Sequence, residues 1–300
     1  MPDLDPPAAK DAVVYCLTRR GFFSEINVLI QHQAYALAHA EDFYVDEHGA
    51  NFRMEALFAA PPSSHRELAA DRYRQVVVCS PKTTREEWTR RRVWVWKACE
   101  DHTVVQAPAI GFEGPCDQLV RMLARRIMEP RRELAEAVDA EARRLGLDRT
   151  PFCAMHIRRG DKTEGYLRKS GVLGFEGERA PVSAYVEQMR QIAPELSTVL
   201  MLTDDHRPFA EAAAAYPDLG FVTLARPDEA GYFQDAFSGL PFEEKARAAE
   251  RLVVEVLLAA RSQAFVGAFR SNVSMMIAQI HPDPQACRSV DSVKTWRILM

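Results

Sequence analysis

Apolar positions along the chain fall into two rhythms, short unbroken runs and longer stretches at helical spacing, and in the second half the two alternate cleanly. Residues 152–157 (FCAMHI), 198–202, 221–224 and 264–266 read as buried strands rich in β-formers. Between them, 182–192 after Pro181, the alanine-rich 206–216, 242–261 and 272–280 carry apolar residues three and four apart and read as helices. Strands alternating with helices require right-handed crossovers and a parallel sheet, so this half is predicted to be a Rossmann-like domain.

The first half begins in the same way. Residues 12–17 (AVVYCL) predict a buried strand, 18–24 a loop containing Gly21, and 25–40 a helix with Ser24 as its N-cap. A strand, a glycine-bearing loop and a helix in that order form a unit whose helix N-terminus can face a ligand. Further strands are predicted at 43–45, 75–79 and 93–96, and an amphipathic helical region at 116–145 that breaks at Pro130. Trp88, Trp94 and Trp96 read as a hydrophobic patch under a loop, with an acceptor platform as the second reading. Glycine, proline and polar residues cluster at 146–151, which sets the expected boundary between a first domain at 1–148 and a second at 149–300. The expected fold class is α/β, with two Rossmann-like domains.

Composition narrows the classes of function. Of 300 residues, 47% are hydrophobic and 27% charged, ordinary for a globular chain that buries a sizeable core. The net charge of -4 argues against a nucleic-acid partner, despite local clusters at Arg90, Arg91, Arg92 and at Arg131, Arg132. Six cysteines are scattered without a C-x-x-C pair or a metal-like grouping with histidine, which fits reduced thiols and a cytoplasmic setting. The acidic, proline-rich leader does not read as a signal peptide, and no window is apolar for long enough to span a bilayer.

Candidate chemistry gathers at strand ends. The run from His156 through Arg158, Arg159, Gly160, Asp161 and Lys162 follows the first strand of the second half, Thr203-Asp204-Asp205 follows the next, and Gly267 to Asn272 follows the last. In a parallel sheet these clusters fall along one edge, where open α/β sheets bind ligands. Adjacent arginines there suit an anion, most naturally a phosphate, because guanidinium offers bidentate donors; one of the pair is equally expected to bridge to Asp161, Asp204 or Asp205. Ser271 and Asn272 open a helix directly after a strand, a ready phosphate site that is also compatible with mere capping. One of Asp204 and Asp205 is expected to cap the helix that follows. Glu255 sits in an otherwise apolar helix and needs a partner, either an arginine of the core or a ligand edge such as guanine. No spacing supports a metal site.

Three of these clusters, in order, resemble the motifs of the α-1,6-fucosyltransferases, a family that includes the core fucosyltransferase of N-glycans and the rhizobial nodulation fucosyltransferase. His156-Ile157-Arg158-Arg159-Gly160-Asp161-Lys162 is similar to their H-x-R-R-x-D-K, Leu202-Thr203-Asp204-Asp205 to their strand-end T-D-D, and Phe269-Arg270-Ser271-Asn272-Val273 to their F-S-S-Q-V. Asp291-Ser292-Val293 resembles a short tail of that superfamily. The resemblance implies a GT-B fold, two Rossmann-like domains with parallel sheets facing a central cleft, the tail packing back on the first. It further implies inverting, metal-independent transfer of fucose from GDP-fucose to a glycan or other hydroxyl acceptor, with no cofactor. By matching positions, Arg158 would hold the donor β-phosphate with Arg159 in support. His156, Asp204 and Gly21 would line the donor site, Ser271 and Asn272 would bind the pyrophosphate, and Glu255 would stand where the family reads guanine with an aspartate. Glu164, or Asp161 as second choice, would deprotonate the acceptor. Two alternatives stay open: a transferase for another nucleotide sugar, and a non-catalytic nucleotide- or sugar-binding protein.

Overall fold

A computed structural model of the chain describes residues 10–160 and 180–291. The chain forms two compact units, the first ending at Glu129 and the second beginning at Pro130.

In the first unit, β1 (Asp11–Cys16) runs parallel to both β2 (Asp42–Asp46) and β3 (Gln75–Cys79), in the order β2-β1-β3. Four consecutive residues of β1, Ala12 to Tyr15, are buried, as befits a central strand covered on both faces. Between β1 and β2 lies α1 (Phe22–Ala38), apolar over most of its surface. Its N-cap is Gly21, three residues before the predicted Ser24, whose hydroxyl instead accepts a hydrogen bond from Arg20 at 2.8 Å. After the short α2 (Met54–Leu57) and β3 comes α3 (Arg85–Glu100). The strand predicted at 93–96 lies within this helix. The Val-Trp-Val-Trp alternation suggested period two, but the buried positions Arg91, Val95, Ala98 and Cys99 follow the helical period, while Val93 and Trp96 are exposed. A hairpin then pairs β4 (Val104–Ala107) antiparallel with β5 (Phe112–Pro115), and its return is made by Gly111 at φ 65°. The unit closes with α4 (Cys116–Ile127), whose Leu119, Val120, Leu123 and Ile127 face inward while Arg125 and Arg126 face out.

The second unit opens on α5 (Arg132–Arg144), so the break at Pro130 divides the chain and the expected boundary at 146–151 lies inside this unit. The physical reason is packing: α5 lies on the helix Phe242–Ala259, and Arg261 just beyond that helix bridges to Asp139 of α5 at 2.7 Å. There follow β6 (Phe152–Ile157), α6 (Val182–Ile192), β7 (Thr198–Thr203), α7 (His206–Ala215), β8 (Gly220–Thr223), the short α8 (Gln234–Ser238), α9 (Phe242–Ala259), β9 (Ala264–Gly267), α10 (Asn272–Ile280) and β10 (Cys287–Ser289). The five strands are all parallel, in the order β10-β9-β6-β7-β8. All six residues of β6 are buried, and their alternation divides the core. Cys153, Met155 and Ile157 pack with Val199, Met201, Ala264 and Val266 against Val182, Tyr185, Val186 and Met189 of α6. His156, two residues on from Ala154, therefore points to the opposite face, and its imidazole meets Ser274 of α10.

This strand order fixes where a ligand can sit. The chain moves outward from β6 through β7 to β8, then returns across the sheet to β9 and β10. The reversal falls between β6 and β9, and open α/β sheets bind ligands in the crevice outside the carboxyl ends of the strands at such a point.

Candidate active site

The carboxyl ends of β6 and β9 carry the residues singled out from the sequence. Register places His156 abreast of Gly267 on one side and of Leu202 on the other, and Ile157 abreast of Thr203. The segment after β6, the aspartate pair after β7 and the segment after β9 thus leave the sheet at one level.

His156 is an inner support of this edge. Its Nδ1 lies 2.6 Å from the Ser274 hydroxyl, and burial, reinforced by the charge of Arg158, pulls its pKa down to about 3, so the ring is neutral at ordinary pH. Gly267 makes the contact possible: a Cβ there would stand 2.6 Å from the Ser274 oxygen and 2.8 Å from the Phe265 ring. The bond and the glycine together bring the first turn of α10 down onto β6 and β9.

The two arginines have separate tasks. The Arg158 guanidinium, half-buried, donates to Asp204 and lies over the Tyr232 ring with 4.8 Å between Cζ and the centroid. Arg159 is buried, and its guanidinium donates to the carbonyl oxygens of Arg158 and Ala180 at 3.3 and 3.2 Å. The expected bridge to Asp204 is thus made by Arg158, while Arg159 stiffens the backbone behind it.

Asp204 joins three segments. One carboxylate oxygen accepts the Arg159 N–H at 2.7 Å; the other accepts the Tyr232 N–H at 2.9 Å and the Arg158 guanidinium, and the Asp204 carbonyl accepts the Gly231 N–H at 2.8 Å. Its neighbour Asp205 performs the expected capping, accepting the Arg207 N–H at 2.9 Å. Burial opposes ionisation of Asp205, yet the hydrogen bonds from Arg207 hold its carboxyl below the ordinary aspartate range. The two segments that Asp204 joins touch through glycine. Gly160 has φ +61° and Gly231 φ +112°, both in the region that favours glycine, and a Cβ on Gly160 would lie 2.3 Å from the Tyr232 carbonyl oxygen.

Ser271 is the N-cap of α10 and Asn272 its first residue; the Ser271 side chain makes no capping bond to the helix. The segment before them is held from β10 and the residues just beyond it: Ser289 of β10 accepts the Phe269 N–H at 3.2 Å, and Asp291, two residues past the strand, accepts the Arg270 N–H at 2.9 Å and the Ser289 hydroxyl at 2.5 Å. A held backbone leading into a helix N-terminus is an arrangement that suits an anion.

Neither the family models nor the curated proteins include a match to the chain. Solved structures do match it. Fucosyltransferase NodZ from Bradyrhizobium superposes with a TM-score of 0.53 at 14% identity, over 91% of this chain and 94% of that one. POFUT1 in complex with GDP-fucose gives 0.51 at 13% identity over 95% and 98%. A mutant of Arabidopsis thaliana FUT1 in complex with GDP gives 0.52 at 10% over 93% and 70%. The fold is that of the GT-B fucosyltransferases. Within this GT-B fold, the α/β class with parallel sheets is as the sequence predicted.

Glu255, on α9, is paired with an arginine, as its sequence context allowed. Arg251 donates to it at 3.1 Å and also to Glu229 and to the Leu224 carbonyl. Burial, opposed by Arg251 and aided by the Glu229 charge, raises the Glu255 carboxyl to about 7. Gly21 belongs to the first unit, at the end of the loop between β1 and α1. There the helix start already has an anion of its own: buried Glu25 accepts the Thr18 N–H at 3.1 Å and the Thr18 hydroxyl at 2.6 Å. Asp161, Lys162, Glu164 and the tail at Ser292-Val293 lie outside the described residues. Two residues of the site escaped the sequence reading, Tyr232 and Ser274. A Gly-Tyr-Phe segment gives no signal on its own, but a serine one helical turn beyond Ser271 could have been read as facing the sheet. Among the described residues, no three His, Cys, Asp or Glu side chains gather as metal ligands.

Proposed function

We propose that the protein is a glycosyltransferase that transfers fucose from GDP-fucose to a hydroxyl acceptor, with inversion. The observation that carries this reading is that the segment bearing Arg158 and the segment leading into α10 leave the sheet from neighbouring strands, β6 and β9, at the reversal of the second unit. Likeness to NodZ and to POFUT1, the latter solved with GDP-fucose, supports the choice of donor. A leaving nucleoside diphosphate gains negative charge as the glycosidic bond breaks, and fixed donors aimed at that charge lower the barrier.

Arg158 would hold the β-phosphate, preset by Asp204 and the Tyr232 ring, with Arg159 stiffening the turn and His156 bracing α10 from below. Ser271 and the N–H groups from Asn272 onward would take the pyrophosphate without a metal. Glu255 would face the base from α9, and Gly21 would be a further donor-site residue, as the resemblance implies. The acceptor oxygen attacks the anomeric carbon as the bond to the β-phosphate breaks; its proton would pass to one carboxylate, Glu164 as first choice or Asp161 as second. GDP leaves with the bonding pair.

Isothermal calorimetry with GDP tests the assignment. Arg158→Ala should remove measurable binding, and undiminished affinity would sink it. A thermal-shift comparison of GDP, UDP and dTDP at equal concentration tests the base: GDP should raise the melting point most, because stabilisation of the folded state grows with the logarithm of the ratio of ligand concentration to Kd.

A further inference from the structure

We propose that Tyr232 is a positioning residue for the donor diphosphate, acting through Arg158; the inference rests on the reading that Arg158 holds that diphosphate. Three observations carry it. The phenol ring lies under the Arg158 guanidinium at 4.8 Å, within the range where a cation is attracted to an aromatic face. The Tyr232 N–H donates to the same carboxylate oxygen of Asp204 that accepts the guanidinium, so one residue supplies both the floor beneath Arg158 and a tether for its counter-ion. The Tyr232 backbone cannot drift, because Gly160 and Gly231 press the two segments into contact and the Gly231 N–H is bound to the Asp204 carbonyl.

An arginine side chain has many rotamers, and fixing it before the ligand arrives removes that ordering cost from binding. Asp204 alone would hold Arg158 at one end. The ring adds a plane, and a guanidinium held flat on it keeps its fork of N–H donors in a fixed orientation. The Tyr232 hydroxyl donates to Gln234 at 2.9 Å and takes no part in this, so the ring and not the phenol is the working group.

The test uses the full chain, with GDP and GMP as probes in calorimetry. Tyr232→Phe keeps the ring and should bind GDP within twofold of the unaltered protein. Tyr232→Leu keeps the N–H and the bulk but loses the aromatic face, and should weaken GDP about three- to tenfold. GMP has no β-phosphate, so its affinity should stay within twofold in both variants, which separates a lost direction of Arg158 from a general disturbance of the site. GDP affinity unchanged in Tyr232→Leu, or GDP and GMP falling together, would overturn the inference while leaving the role of Arg158 intact if Arg158→Ala still loses GDP. If Arg158→Ala binds GDP normally, or the unaltered protein does not bind it, the donor-site reading fails and this inference with it.

Discussion

Asp204 is the residue whose removal the structure prices most directly. Its two oxygens divide three donors: one takes the Arg159 N–H, the other the Tyr232 N–H and the Arg158 guanidinium. A hydrogen bond to a charged group contributes about 1.5–3 kcal/mol, and each 1.4 kcal/mol is a factor of ten, so losing the acceptor should speed exchange of each tethered amide by between about ten- and a hundredfold. Asp204→Ala should do this at both amides. Asp204→Asn has one acceptor atom in place of two, so it should free one amide and spare the other. The assay is hydrogen–deuterium exchange resolved by mass spectrometry, on peptides covering residues 155–160 and 230–234. Exchange at both amides within twofold of the unaltered protein in Asp204→Ala would refute the claim that this carboxylate joins the two segments.

Other expectations follow from the same geometry. Gly160→Ala places a Cβ 2.3 Å from a backbone oxygen in a left-handed conformation and should cost about 2–4 kcal/mol in calorimetric melting. Gly111→Ala, at φ +65° with nothing near the new Cβ, should cost only about 1 kcal/mol, and equal losses would show that close approach at Gly160 does not matter. Glu255 has its folded-state pKa raised from 4.5 to about 7, so its stabilising contribution is fully present below about 4.5 and is lost as pH rises through about 7. Relative to the unaltered protein, Glu255→Gln should therefore gain about 3 kcal/mol between pH 4.5 and pH 8 in urea titrations, and a pH-independent difference would contradict the burial of this carboxyl.

Much of the second unit was legible because its signals agreed. Phe152–Ile157, Val182–Ile192 and Asn272–Ile280 form as predicted. The first of these is a fully buried apolar run, the second starts after Pro181, and the third starts after a serine. The first unit was harder where local pattern and period conflicted: the alternating residues at 93–96 belong to a helix whose register is set by buried Arg91, bonded to Glu41 and Glu87, and no apolar count anticipates a buried arginine. At the candidate site, sequence spacing could name strand ends but not neighbours. That Asp204 goes to Arg158 while Asp205 caps a helix depends on backbone direction at adjacent positions. Tyr232 lies 28 residues beyond Asp204 and reaches it because β7 and β8 are neighbours in the sheet, which brings the segments that follow them together.

The paired glycines have a consequence for anyone who would re-engineer specificity by grafting loops. Gly160 fills the side-chain space of Gly231, where a Cβ would lie 2.7 Å from the Cα of Gly160, and the Tyr232 backbone fills that of Gly160. Neither segment can be exchanged alone for one carrying a larger residue at that point. A chimera made with another protein of this fold must transplant the two together, with the aspartate between them, or the recipient loses the tether that aims Arg158.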